Sequence, residues 1–177
     1  MALDALEAAA AGVAAIANRI RSAIRPAESL AENRANNTLY VVADLLDTLA
    51  ATLQRLKCVG ENVGAGGRVA SVCTTWRIVG GDGGVVVVRL RPETVIRFEG
   101  GRLFFHRDHV RMEADAAKVR ICKWSYCKEF STTNREEVVR ELPQIIYILR
   151  FVGNAVRKTA EAAQVCARRE APECARL

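Results

Sequence analysis

The stretch from Arg68 to Trp124 most limits what this chain can fold into. Several of its segments alternate apolar with polar residues, as in Lys118-Val119-Arg120-Ile121. On either side lie long segments whose apolar residues recur every three or four positions. The first period belongs to strands and the second to helices. A chain that keeps the two periods in separate blocks reads as α+β.

In the first block Leu3, Leu6, Ala10, Val13, Ala17, Ile20 and Ile24 keep heptad spacing. Asp4 and Glu7 stand in the first turn and Arg19, Arg21 and Arg25 in the last, which suits the helix dipole. Pro26 ends this helix and can open the next. The second helix is expected from Pro26 to Lys57, with Leu39, Val42, Leu46, Leu49, Leu53 and Leu56 as its stripe. Asn33 to Asn37 marks a candidate break, because Asn favours caps and turns. Residues 1–58 thus read as a helical hairpin. The glycine-rich loop from Gly60 to Gly67 carries no phosphate-binding signature.

Two hairpins follow. The first turns at Gly80-Gly81-Asp82-Gly83-Gly84, where Asp-Gly favours a type I′ turn. Counting outward sets Trp76 opposite Arg89 and Thr74 opposite Arg91, with Val86, Val88 and Leu90 on the core face. The second turns at Gly100-Gly101, which pairs Arg97 with Phe104 and Glu99 with Arg102. Ile96, Phe98, Leu103 and Phe105 then share the core face. A further segment, Ala117 to Trp124, sets Lys118, Arg120 and Trp124 against Val119 and Ile121. The expectation is an antiparallel four-stranded β-meander within residues 68–130.

Thr133 and Glu136 form a capping-box pattern. Pro143 must kink or restart the helix that follows. Ile145, Leu149, Val152, Val156, Ala163 and Cys166 continue the heptad spacing through a long C-terminal amphipathic helix over residues 133–170. This stripe suits packing on the chain's own sheet or a coiled-coil homodimer or higher oligomer.

The formal net charge is +6. Residues 61–130 hold twelve basic and eight acidic side chains, whereas residues 1–60 hold six of each. The excess therefore gathers where the strands are, as expected of a surface that meets a polyanion. Cations along a groove hold phosphates, and flat aromatic rings stack on unpaired bases. The candidate nucleic-acid-binding residues are Trp76, Arg89, Arg91, Arg97, Arg102, Phe104, Lys118, Arg120 and Trp124. No nucleophile with a matching base is evident, so no enzyme, catalytic residue or cofactor is expected. His106, His109, Cys122 and Cys127 match no zinc module, so no metal is expected either. Six cysteines allow fifteen full pairings, which leaves connectivity open; Cys166 could bridge two chains or pair with Cys174.

Heavy use of arginine and alanine together with six cysteines suggests a hyperthermophile, where intracellular disulfides persist. The N-terminus has no basic region ahead of an apolar run, and no apolar run is long enough to span a bilayer. A cytoplasmic protein without a membrane partner is expected.

Trp76, Arg89, Arg91, Arg97, Phe104, Lys118, Arg120 and Trp124, followed by the Ile145 to Cys166 stripe, form a layout that resembles the ThermoDBP family of single-stranded-DNA-binding proteins of hyperthermophilic archaea. The resemblance is one of architecture. It implies sequence-independent binding of single-stranded DNA or RNA in a cleft with a hydrophobic floor and basic walls, and dimerisation through the last helix. The alternative is a structural or assembly protein whose heptad helices pack between subunits. The small subunit of an archaeal CRISPR surveillance complex and a viral coat or scaffold protein are examples of that class.

Overall fold

The structure, a computed structural model, describes residues 2–63, 68–69, 74–79, 85–90 and 93–177. For residues 2, 63, 68–69 and 74–79 it describes the backbone alone. Helix α1 (Ala2–Ala23) turns back into α2 (Leu30–Val63). Arg21 meets Asp44 at 2.7 Å and Asp47 at 2.5 Å, while Lys57 meets Glu7 at 3.4 Å, so the two helices run antiparallel. The start of α2 is set by Ser29, whose hydroxyl accepts from the Glu32 amide at 3.1 Å. The Glu32 carboxylate accepts from the Glu28 amide at 2.9 Å. The Asn-rich stretch does not break the helix. Asn36 is buried and donates to the Arg25 carbonyl at 2.8 Å, so its amide ties the helix to the preceding loop.

Among the described residues eight strands follow: β1 (Arg68–Val69), β2 (Thr74–Val79), β3 (Val85–Leu90), β4 (Thr94–Glu99), β5 (Arg102–Arg107), β6 (Val110–Ala114), β7 (Lys118–Lys123) and β8 (Tyr126–Ser131). Each pairs antiparallel with the next in one sheet. This corrects the expected four-stranded meander. β3 to β8 make a six-stranded antiparallel sheet with described side chains, and β1 and β2 extend it. The missed strands β6 and β8 are entered through turns without glycine. Asp108 and Trp124 take the positive φ there, at 54° each.

The second hairpin has the expected register, with Arg97 opposite Phe104 and Glu99 opposite Arg102. The first is shifted by one residue: Thr75 stands opposite Arg89, and Trp76 opposite Val88. The turn segment that sets this register, residues 80–84, lies outside the described residues.

Asn134, one residue beyond the expected Thr133, caps α3 (Arg135–Arg140) by accepting from the Glu137 amide. Pro143 sits in the first turn of α4 (Leu142–Glu170), so it restarts the helix. α1 and α4 both lie on the sheet, and α2 packs across the pair as an outer layer. The three heptad stripes are consumed in this packing. Leu46, Leu49 and Leu53 of α2, and Ile145, Val152 and Val156 of α4, are all buried within the single chain, as is the Cys166 thiol. Arg135 ties α3 to the α1–α2 loop, donating to the carbonyls of Arg25 and Pro26 and pairing with Glu32 at 2.9 Å.

Among the described residues two disulfides are present. Cys58–Cys174 joins the end of α2 to the tail, and Cys122–Cys127 crosses β7 and β8. Cys174 therefore pairs with Cys58 and not with Cys166. No described helix is long and apolar enough to cross a membrane.

Two stability outcomes follow from this packing. A Cβ at Gly12 would collide with the Phe98 ring, where α1 meets β4. Gly12→Val should cost about 1–3 kcal/mol of unfolding free energy in a urea titration. The same change at exposed Ala11 should stay within about 0.5 kcal/mol. Cys58–Cys174 closes a loop of 116 residues. Cys174→Ser should therefore lower stability by about 2–5 kcal/mol.

Candidate nucleic-acid interface

Alternation along β3 to β8 gives the sheet two unlike faces. Val86, Val88, Leu90, Ile96, Leu103, Phe105, Met112, Val119, Ile121 and Phe130 point to the helices and are buried. Their neighbours point away. Arg89, Arg97, Arg102, His106, Arg111, Lys118 and Arg120 are all exposed, and no described helix covers them. Five of the expected binding residues thus share one open face: Arg89, Arg97, Arg102, Lys118 and Arg120.

Phe104 lies on this face, half-buried, between two guanidinium groups. Arg97, directly opposite on β4, and Arg102, two residues before it on β5, each stand 5.4 Å from the ring centroid. Each guanidinium group holds the ring by a cation–π contact.

The face is less basic than the cations alone suggest. Register puts Glu113 opposite Phe104 on one side and Arg120 on the other, and Glu129 opposite Arg120. Arg97 pairs with Glu99, and Arg102 lies 3.9 Å from Glu113 and 3.8 Å from Asp115. Cations still outnumber acids, but several are neutralised across the strands. Lys118 and Arg120 have no ion pair among the described residues.

Trp124 departs from expectation. It is not a strand residue but the first residue of the two-residue turn between β7 and β8. It is 67% exposed at φ 54°. A bulky side chain in the left-handed region costs about 1–3 kcal/mol and persists only where its surroundings over-determine it. They do so here. The Trp124 amide donates to the His109 carbonyl at 2.8 Å, and Arg111 donates to the Trp124 carbonyl at 3.3 Å. The indole stacks on His109 at 4.9 Å, nearly parallel, and Cys122–Cys127 ties the two strands just below the tip. In a disulfide those two cysteines are not thiolates, so they do not complete a metal set with the histidines.

More aromatic surface sits beside the tip. Tyr126 and Tyr147 are about half exposed and lie 6.3 Å apart. Lys123 stands over Phe151 at 3.5 Å and donates to the Tyr147 hydroxyl. Sequence reasoning missed His109, Arg111, Lys123, Tyr126 and Tyr147 as a group. Two cysteines five residues apart around Lys-Trp-Ser-Tyr were the available signal, since that spacing fits a cross-strand bridge. Of the other expected residues, the side chain of Trp76, and Arg91 entirely, lie outside the described residues.

No family model, curated protein or solved structure matches this chain. The four-stranded sheet that carried the resemblance to the ThermoDBP layout is here part of a longer meander.

One edge of the face depends on pH. Burial pushes the Asp115 carboxyl up. The amides of Lys118 and Ala117, each 2.8 Å away, and the Arg102 charge outweigh burial and hold it below its ordinary value. The Glu28 amide, with Arg135, lowers Glu32 in the same way. A depressed carboxyl stabilises the fold above its unfolded pKa, and that contribution fades as pH falls through the folded value. Urea midpoints should therefore fall on acidification below about pH 4. Asp115→Asn should make that fall shallower, because one of the groups that must be protonated is gone.

Proposed function

We propose that this chain is a non-catalytic binding protein for single-stranded nucleic acid. The observation that carries the reading is Trp124. A hairpin tip asks only for a residue that tolerates positive φ, and glycine or asparagine does so more cheaply. Keeping a large, exposed aromatic there costs stability, and a partner that stacks on the indole would explain why it is kept. Phe104 offers a second ring, on the open face of the sheet. Strand rise and spacing put the two roughly 15 Å apart, a span of a few nucleotides. Arg120, Lys118 and Arg111 supply cations for the phosphates between and beside them. A duplex would leave the rings idle, so the exposed aromatics favour single strands.

The acidic residues on the face limit the electrostatic part. With about three unpaired cations, the logarithm of the binding constant should fall with the logarithm of salt at a slope of about −2. Aromatic stacking then carries more of the affinity than charge does. The assembly alternative relied on the heptad stripes, and most of their residues are buried inside the chain.

Fluorescence anisotropy with a labelled mixed-sequence single strand tests this, with duplex and rising salt as comparisons. Trp124→Ala and Trp124→Gly should each weaken single-strand binding by roughly ten-fold or more, as loss of one stacked base would. Trp124→Gly should nevertheless be about 1 kcal/mol more stable than Trp124→Ala, because glycine relieves the backbone. Phe104→Ala should weaken binding with little change in melting temperature. Wild-type affinity in both the Trp124 and the Phe104 variants would rule the reading out.

A further inference from the structure

A second surface lies between two helices, away from the open face of the sheet, and has no part in that reading. α2 and α4 run side by side in the same direction: Arg135, the first residue of the short α3 that leads into α4, reaches Asn36 near the start of α2, and Cys174, just after α4, bonds Cys58 near its end. Between them is a trough of about 530 Å³. Its floor is aliphatic, made by Val41, Leu45, Ile146 and Leu149. Val41 and Ile146 are 45% and 42% exposed, a large apolar area to leave in water. Gly153 keeps the trough open by having no side chain. Its rim holds three arginines, Arg34, Arg150 and Arg157, and no acid lines it. Among the described residues the Arg34 and Arg150 side chains have no partner, and that of Arg157 meets only the neutral amide of Asn154.

We propose that this trough docks an acidic amphipathic helix of a partner protein. The lining spans residues 34–45 of α2 and 146–157 of α4, which is about three turns, or roughly 17 Å. A helix laid there would bury apolar anchors at i, i+3 or i+4, and i+7 on the aliphatic floor. Its flanking carboxylates would meet the rim arginines.

The spread of charge selects this occupant. A fatty acid or other single-headed amphiphile needs its cations at one end, whereas these three guanidinium groups are distributed along the trough. A second copy of this chain across a two-fold axis would set unopposed arginines against arginines. A nucleic acid would find phosphate partners but nothing to place on four aliphatic side chains.

The test uses the intact, disulfide-bonded protein. Its probe is a labelled synthetic peptide of about four turns, with leucines at the anchor spacing and glutamates flanking them. A scrambled peptide of the same composition and a lysine-for-glutamate version are the controls. Saturable binding of the acidic helix, at least ten-fold tighter than either control, is expected. Arg150→Glu should weaken it at least ten-fold. Gly153→Leu should do the same by filling the floor. A Cβ at Gly153 meets its nearest neighbour at 3.5 Å, so that variant should fold, as circular dichroism would verify. Equal binding of the scrambled peptide, or binding indifferent to both substitutions, would overturn the proposal. Three other results would also overturn it: a protein dimer abolished by Gly153→Leu, assigning the trough to a second copy; saturable binding of laurate without the peptide; and displacement of the peptide by single-stranded DNA.

Discussion

Among the described residues helices cover only one face of the sheet, and the rest of the molecule follows from that. From β3 to β8 each strand sends alternate side chains to α1 and α4 and the others to solvent. The covered face forms a continuous core with the helical stripes. The open face has no packing demand, so charged residues and Phe104 can stand there without loss of stability. A one-residue slip in any strand would exchange the two sets, burying arginines and exposing valines. The deep burial of Leu103, Phe105, Met112, Val119 and Ile121 holds the register, and with it the arrangement of the outer face.

The open face carries its own cross-strand order. Arg97, Phe104, Glu113, Arg120 and Glu129 stand in consecutive register across β4 to β8, so basic and acidic groups alternate along one row. Opposite charges across a pair each contribute a few tenths of a kcal/mol, and like charges would cost as much. The row thus stabilises the sheet while it lowers the field available to a polyanion. The same residues cannot serve both ends fully. That is why the single-strand reading rests on the rings more than on net charge.

What the sequence disclosed divides along physical lines. The helical stripes were legible because helix burial repeats over many residues: Leu39 to Leu56 and Ile145 to Val156 fall where the spacing places them. The β4–β5 hairpin was legible because Gly100 and Gly101, both at positive φ, pin a two-residue turn. The β2–β3 register was not, because five residues, four of them glycine, admit more than one pairing. β6 and β8 escaped because their turns place Asp108 and Trp124 where glycine would be the usual sign. Local turn chemistry and tertiary structure disagree at these two positions, and such disagreement tends to mark sites kept for reasons other than folding. The trough between α2 and α4 had no sequence signal, since apart from Leu149 it is made by residues that flank the two stripes.

Trp124 shows how a fold can hold an unfavourable residue in place. Its backbone accepts from Arg111 of β6 and donates to the His109 carbonyl of the β5–β6 turn, so one hairpin tip is braced by another. The Cys122–Cys127 bond keeps β7 and β8 together two residues below, where fraying would otherwise release the strained turn. The His109 ring covers one face of the indole and leaves much of the remainder in water. Were the tryptophan there only to complete packing, the braces would be expected to bury it. They fix its backbone and leave most of the side chain exposed, an arrangement suited to meeting a ligand without first paying the entropy of ordering the ring.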